Sequence, residues 1–190
     1  MLVPADRHAE ALEIARATAA TMVVGDPLAP ATTHGPVISD VQWAKIQRLI
    51  QTGIDEGAVL VTGGTGLPEG IDKGYFVRPT VFGGVTPDMT IAREEIFGMV
   101  LSIMPYDSVE QAITIANDTV YGLANYIAGK DIEQIRSIAR RLRSGTVQIN
   151  YPEWDVFAPF GGYKQSGNGR EYADYGIHDF LEIKGVIGWG

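Results

Sequence analysis

The stretch AREEIFGMV, residues 92 to 100, places two adjacent carboxylates before a Phe-Gly pair. Asp88 is expected to cap a short helix that ends before Phe97. Glu94 and Glu95 then lie near a helix C-terminus, where the helix dipole disfavours anions, so their placement points to a functional reason. The two oxygens of a carboxylate suit the vicinal hydroxyls of a ribose, and the Phe97 ring can press against a planar ring. The same residues also fit a solvated helix end.

A second unusual segment is YPEWDVFAPFGGYKQSGNGRE, residues 151 to 171, which is long for a connection without an element of its own. Loops of this length are usually functional or disordered, and the aromatic residues argue against disorder. Trp154, Phe157 and Phe160 can wall an apolar tunnel. The two glycines that follow Phe160 let the backbone turn or approach a ligand closely. An equally good interpretation is that the aromatic residues plug the end of the core.

Other catalytic chemistries find little support in the sequence. The chain has no cysteine, which excludes a thiol nucleophile, a thiolate metal site and a disulfide among these residues. The stretch VTGGTGLPEG follows a strand but lacks the third glycine of a dinucleotide loop, and Pro68 blocks the helix that should open there. No G-x-S-x-G elbow occurs, although a triad of Ser166, His178 and Asp179 stays open. The three histidines show no metal-ligand spacing, so no metal site is predicted.

Four helices that position these segments are predicted from apolar spacing. Two of them begin with capping-box sequences, SDVQ at Ser39 and SVEQ at Ser108. The fourth helix is expected to stop at Gly145. The inward positions, helix by helix, are Leu12, Ala15, Ala19 and Met22; Ile46, Leu49, Ile50 and Gly53; Val109, Ala112, Ile113 and Ala116; and Ile132, Ile135, Ala139 and Leu142.

Between the helices lie apolar runs of strand character, at residues 58–62, 100–104, 123–128 and 146–150. Strands without polar alternation are buried on both faces, so the pattern predicts an α/β fold with an open, largely parallel sheet and helices on both faces. The run from 180 to 187 differs, because apolar Leu181 and Ile183 alternate with charged residues. It is predicted to form an edge or antiparallel strand, separate from the main sheet.

The composition is that of a soluble globular protein of 190 residues, with 45% hydrophobic and 20% charged residues. The net charge of −8 disfavours nucleic acid and anionic membrane surfaces as partners. No apolar run approaches the ~20 residues that span a bilayer. The N-terminal residues lack the pattern of a secretion signal, and a cytoplasmic location is therefore expected.

Six blocks, taken in order, carry a family resemblance: VGDPLAPATTHGPVIS, GYFVRPTVF, REEIFGMVLSI, ANDTVYGLA, SGTVQIN and PFGGYKQSGNGRE. With these blocks the chain resembles the C-terminal part of an aldehyde dehydrogenase over nearly its whole length. The resemblance implies that residues 1–175 are the C-terminal part of the catalytic domain. Residues 176–190 would be an oligomerisation strand and tail, which implies a homo-oligomer.

The resemblance also implies roles for individual residues. Glu95 would hydrogen-bond the hydroxyls of the nicotinamide ribose of NAD or NADP, and Phe97 would position the nicotinamide ring. Glu94 would be the outward neighbour. Met99 stands where most members of the family carry proline, so the turn after Gly98 is expected to be looser.

By the same resemblance, the loop from 150 to 160 lines the aldehyde tunnel, with Trp154, Phe157 and Phe160 facing the substrate. The strand from 180 to 187 is similar to one that joins a neighbouring subunit's sheet.

In that family a cysteine thiolate attacks the aldehyde, hydride passes to NAD(P)⁺, and a glutamate-activated water releases the acid. The nucleophile, the general base and the dinucleotide-binding domain are expected upstream of Met1, so the chain itself would hold no catalytic residue. We therefore expect part of an enzyme that oxidises an aldehyde to a carboxylic acid, inactive alone and binding no cofactor alone. The alternative is a truncated, non-catalytic paralogue that acts as an assembly partner.

Overall fold

The structure, a computed structural model, describes residues 1 to 188 and divides into two compact units. The first unit is Met1–Ala112, and the second begins at Ile113. Residues 189 and 190, the end of the predicted oligomerisation tail, lie outside the described residues. Across the described residues, no helix has both the length and the apolar character needed to cross a membrane.

The first unit contains five short strands in two sheets. Strand β1 (Leu2–Pro4) pairs in parallel with β5 (Met104–Tyr106). The second sheet has the order β2-β3-β4, formed by Val59–Thr62, Thr80–Gly83 and Val100–Ser102. Strand β3 is buried along its whole length. It pairs antiparallel with β2 and parallel with β4. It therefore forms the centre of this unit.

Helices α1 (His8–Ala20), α2 (Asp40–Asp55) and α3 (Thr90–Arg93) belong to the same unit. Helix α2 begins as predicted, with the Ser39 hydroxyl accepting a hydrogen bond from the Gln42 N–H at 3.2 Å. Its buried residues are the four predicted, Ile46, Leu49, Ile50 and Gly53. The three aliphatic ones lie with Phe82 of β3 in the main core. Fully burying one such aliphatic side chain contributes about 1.5–3 kcal/mol.

The second unit is built on a parallel strand–helix–strand arrangement. Strands β6 (Ala124–Ile127) and β7 (Thr146–Ile149) pair in parallel, and α5 (Ile132–Ala139) connects them. Helix α4 (Val109–Asn117) contains the division between the units. The α/β class with parallel strand pairs is confirmed, and the predicted strands at 58–62, 123–128 and 146–150 form within a residue of their expected ends.

Three details differ from the sequence prediction. Helix α5 ends at Ala139 rather than near Gly145, because the next turn tightens and the Arg143 N–H donates instead to the side chain of Asn117 at 2.8 Å. The predicted strand from 100 to 104 is divided: it contains β4 and only the first residue of β5, and these two strands belong to different sheets. Strands β1 and β3 were not predicted.

The predicted strand from 180 to 187 is also absent within the described chain. A 3₁₀ helix covers Gly176–Phe180, and residues 181–188 form no strand. The side chains of Ile183 and Ile187 are 100% exposed. An alternating strand needs a neighbouring backbone to pair with, and none is supplied by residues 1–188.

Candidate functional site

The two carboxylates of the sequence motif lie at the C-terminal end of α3. Helix α3 ends at Arg93, and Glu94 is already extended, with φ −95° and ψ 139°. Glu94 is the C-cap residue of α3 and Glu95 follows it, so both carboxylates lie near the C-terminus of this short helix, as the sequence predicts. Both side chains are exposed, so they are available to solvent or to a ligand.

The N-terminus of α3 is capped from another helix, which corrects the prediction for Asp88. The N-cap position is Met89, and the carboxylate of Glu56 accepts from the Thr90 N–H at 2.7 Å and the Thr90 hydroxyl at 2.6 Å. Asp88 instead accepts from the Thr86 hydroxyl, and this hydrogen bond lowers the pKa of the Asp88 carboxyl. A cap supplied from 34 residues away has no local sequence signature.

The turn after Glu95 points alternate side chains inward and outward. Ile96 is buried in the main core, whereas Phe97 is 73% exposed. Phe97 has φ +58°, a left-handed conformation that costs an L-residue with a bulky side chain about 1–2 kcal/mol. Such a conformation persists only where its surroundings impose it.

Gln42 imposes this conformation. Its side-chain amide donates to the carbonyl oxygens of Ile96 and Phe97, both at 2.9 Å. The predicted capping box assigned Gln42 a different task, a return bond from its side chain to the Ser39 backbone. In the structure, the Ser39 hydroxyl accepts from the Gln42 N–H as the capping box predicts. The Gln42 side chain instead holds the 96–97 turn against α2.

Gly98 lets the turn lie close against α2, because it has no side chain. A Cβ on Gly98 would come within 2.5 Å of the Ile46 Cδ1 atom, and Ile46 is fully buried. Any larger residue would push the turn away from α2. Gln42 and Ile46, two residues of α2, thus hold residues 96 to 98 against this helix. The looser turn expected after Gly98 stays a prediction.

An open depression of about 270 Å³ lies beside this turn. Its lining includes Glu94, Phe97, Leu101 and Ser102. Glu95 does not line it, so the carboxylate nearest to this particular space is that of Glu94. The two neighbouring glutamates thus face different surroundings, which makes them separable by substitution.

In the second unit, two of the three predicted tunnel aromatics come together. The rings of Trp154 and Phe160 are 6.4 Å apart, and Tyr172 packs edge-on against Trp154 at 5.7 Å and against Phe160 at 6.4 Å. Phe157 is 82% exposed and makes no ring contact within residues 1–188. We call Trp154, Phe160 and Tyr172 the aromatic cluster.

Tyr172 was missed by the sequence analysis. It reaches the cluster because Phe160 and Glu171 exchange two backbone hydrogen bonds, at 2.9 and 2.7 Å. These bonds bring the two ends of the segment from 160 to 171 side by side. The only signal was an aromatic residue just past the glycine-rich motif. Nothing in the local pattern predicted the pairing of residue 160 with residue 171.

The glycine-rich motif packs against its own chain. A Cβ on Gly145 would lie 1.6 Å from the Gly161 carbonyl oxygen, and one on Gly161 would lie 2.1 Å from the Gly169 carbonyl oxygen. The glycines therefore allow backbone to approach backbone. The same motif anchors Lys164, whose ammonium donates to the carbonyls of Asn117 at 2.9 Å and Thr119 at 2.8 Å.

The triad of Ser166, His178 and Asp179, which the sequence analysis left as a possibility, does not form. The Ser166 hydroxyl accepts from the Gly122 N–H at 3.0 Å, and no hydrogen bond joins Ser166, His178 and Asp179 within the described residues. Between residues 1 and 188, no group of three His, Asp or Glu side chains is placed to hold a metal ion.

Comparison with known proteins extends these observations. The family model described as "Aldehyde dehydrogenase family" matches residues 1–186. A 3-succinoylsemialdehyde-pyridine dehydrogenase from a Pseudomonas species is 49% identical over 189 residues, covering 100% of this chain and 40% of that protein. A putative aldehyde dehydrogenase from Staphylococcus aureus is 53% identical over 166 residues, covering 87% and 35%.

Solved structures that resemble this chain are also aldehyde dehydrogenases. A mutant of aldehyde dehydrogenase C from Pseudomonas syringae, complexed with NAD⁺ and octanal, is 50% identical with a TM-score of 0.96, covering 100% of this chain and 39% of that one. A Mycobacterium tuberculosis aldehyde dehydrogenase complexed with NAD⁺ is 44% identical with a TM-score of 0.91, covering 100% and 40%. The chain thus spans about two fifths of the length of these relatives. Because a family model matches nearly all of its residues, the chain belongs to the aldehyde dehydrogenase family.

Proposed function

We propose that this chain is the C-terminal part of an NAD(P)-dependent aldehyde dehydrogenase, and that the whole protein oxidises an aldehyde to a carboxylic acid. The observation that carries the proposal is the turn from Glu95 to Gly98. It presents an exposed carboxylate and an exposed ring in a conformation that Gln42 and Ile46 hold in place. Two relatives of known structure are complexes with NAD⁺, which favours this cofactor.

The residues of the turn fit the cofactor chemically. Glu95 is exposed and has no hydrogen-bond partner within the described part of the chain, so both carboxylate oxygens can accept from ribose hydroxyls. The Phe97 ring, which is directed outward, can lie against the nicotinamide. When bound, NAD(P)⁺ accepts the hydride that leaves the aldehyde carbon. The chain's part in this step is to orient the cofactor, because small displacements of reacting groups cost large factors in rate.

The substrate side of the proposal rests on the aromatic cluster. Trp154 and Phe160 form an apolar surface that would exclude water and pack against the carbon chain of an aldehyde. Phe157 would add to this wall, since its side chain is free to pack against a substrate or against another part of the protein. A relative 50% identical is in complex with octanal, an aldehyde with an apolar chain, which supports substrates of that class.

The chain on its own is expected to show no dehydrogenase activity, because its sequence has no cysteine to attack the aldehyde. The measurement is NADH formation from a panel of aliphatic and aromatic aldehydes by the purified 190-residue chain, with a full-length relative as the positive control. Turnover above the buffer background would contradict the proposal.

The assignment of Glu95 can be tested in a hybrid protein. The hybrid joins two parts: the part of Pseudomonas syringae aldehyde dehydrogenase C that precedes the matched region, and this chain in place of the matched region. All of this chain aligns with that enzyme. We expect Glu95→Gln to raise the KM for NAD⁺ about tenfold, because about 1.4 kcal/mol of charge-assisted hydrogen bonding is lost. Octanal oxidation at saturating aldehyde gives the measurement.

Glu94→Gln in the same hybrid is the matched comparison, since Glu94 has the same charge one residue away. It is expected to leave the KM for NAD⁺ within about twofold of the unmodified hybrid, a difference of less than 0.5 kcal/mol. If Glu94→Gln rather than Glu95→Gln raises the KM, the assignment of the ribose contact to Glu95 is wrong.

The role of Gln42 can be tested in the chain itself. Gln42→Leu removes both hydrogen bonds to the 96–97 turn and is expected to destabilise the chain by about 1–2 kcal/mol. Hydrogen exchange in a peptide covering residues 94–100 should become faster, because Phe97 is released from its left-handed conformation. Gln51→Leu is the control, since Gln51 lies on the same helix and bonds only the exposed Asp55. Equal effects of the two substitutions would refute the role of Gln42.

A second candidate function, that of a non-catalytic assembly partner, is favoured by the tail. Ile183 and Ile187 are fully exposed on a segment that forms no strand within residues 1–188. An unpaired, alternating segment of this kind can add to the sheet edge of another subunit. The chain would then act by joining a second copy or a full-length dehydrogenase.

Assembly through the tail predicts that the chain forms oligomers at high concentration, measured by sedimentation velocity. The double substitution Ile183→Asp and Ile187→Asp should shift it to monomer, because charged side chains oppose pairing of apolar edges. Leu28→Asp is the control, since Leu28 is 91% exposed but lies in the loop before α2. A monomeric parent chain, or equal disruption by Leu28→Asp, would argue against assembly through the tail.

A further inference from the structure

The four asparagines of the chain differ sharply in how their side-chain amides are held. Asn117 donates to the Arg141 carbonyl at 2.9 Å and accepts from the Arg143 N–H at 2.8 Å. Asn150 exchanges two hydrogen bonds with the backbone of Gly129, at 2.9 and 3.0 Å. In these residues the amide carbon cannot turn toward the following backbone nitrogen without breaking two bonds.

Asn125 is also held, because its amide donates to the Ser144 hydroxyl at 2.8 Å. Asn168 is different. It is exposed, and its side chain has no hydrogen-bond partner within residues 1–188. The residue that follows it is Gly169, which is exposed too and has no Cβ to block an approach to its nitrogen. The Gly169 N–H likewise has no acceptor in the described chain.

Arg170 acts on the peptide bond between these two residues. Its guanidinium Nη1 donates to the Asn168 carbonyl oxygen at 3.1 Å and to the Gly169 carbonyl oxygen at 2.9 Å. A third bond from the same atom, to the Gly162 carbonyl at 2.9 Å, fixes its position. A cation on the Asn168 carbonyl stabilises negative charge on that peptide, which makes its nitrogen easier to deprotonate.

We propose that Asn168–Gly169 is a deamidation site of this chain and that the folded loop promotes the reaction. The deprotonated Gly169 nitrogen attacks the Asn168 side-chain carbonyl carbon, a C–N bond forms, and the side-chain nitrogen leaves as ammonia with the transferred protons. Water then opens the cyclic imide at either carbonyl. The product is aspartate or its isomer with the backbone running through the side chain.

The product would change its surroundings. A new carboxylate appears beside the Arg170 guanidinium, and the chain's net charge of −8 becomes more negative by one. Asp179, the other charged side chain that faces Gly169, has an oxygen 3.3 Å from the position of an added Cβ. The isomerised backbone is longer by one atom, so it would displace the Arg170 bonds that hold the loop between Gly162 and Gly169.

The experiment follows the mass of each asparagine-containing peptide. The purified chain is kept at 37 °C in mildly alkaline buffer, digested at intervals and analysed by tandem mass spectrometry. We expect a gain of about one dalton in the peptide containing Asn168 before any of the other three asparagine peptides changes. Intact chain should shift to an acidic form on ion exchange at the same rate. Asn168→Gln, which cannot close the same ring, should abolish both changes.

A synthetic peptide covering residues 163–172 tests the contribution of the folded loop, since it contains Asn168, Gly169 and Arg170 without the fold. The folded chain is expected to convert Asn168 faster than this peptide. Conversion that is equal or slower in the folded chain would overturn the proposal. A mass gain that appears first at Asn117, Asn125 or Asn150 would overturn it as well.

Discussion

The conformation of the turn from Glu95 to Gly98 depends on one side-chain amide. Gln42 donates two hydrogen bonds to the carbonyls of Ile96 and Phe97, and these bonds hold Phe97 in a left-handed conformation that it would not adopt alone. Ile46, one turn further along α2, leaves room only for glycine at residue 98. The outward presentation of Glu95 and Phe97 is therefore a property of helix α2 as much as of the motif that contains them.

In the second unit, too, side chains hold irregular segments by donating to backbone carbonyls, but here the donors are cations. Lys164 and Arg170 donate to backbone carbonyls that no secondary structure satisfies, two for Lys164 and three for Arg170. Charge-assisted hydrogen bonds of this kind are stronger than neutral ones, so they can order a segment that has few strands or helices. The glycines at 145 and 161 let the bonded segments approach to contact distance. The aromatic cluster stands on this scaffold through the backbone pairing of Phe160 with Glu171.

The chain belongs to the aldehyde dehydrogenase family. The chain spans about two fifths of the length of its relatives, and its sequence has no cysteine. Under the proposed function, its contribution is orientation: a carboxylate and a ring for the cofactor, and an apolar surface for the aldehyde. Orientation of this type is worth large factors in rate only when the supporting residues are rigid, and the bonds of Gln42 and Arg170 are suited to that task.

The sequence by itself determined the local features and the family. Apolar spacing identified the buried face of α2 because that face depends on helical period alone, and the ordered motifs identified the family. The cofactor roles of Glu95 and Phe97 stay predictions. The tertiary structure decided what each polar side chain binds. The sequence predicts that Gln42 takes part in the capping box of α2 and that Asp88 caps α3, and it predicts no contact for Tyr172. Gln42 binds residues 96–97, the cap of α3 comes from Glu56 rather than from Asp88, and Tyr172 packs against Trp154 and Phe160. These three contacts join segments that are distant in the sequence. Contacts between distant segments leave no local period or spacing, so only the folded chain reveals them.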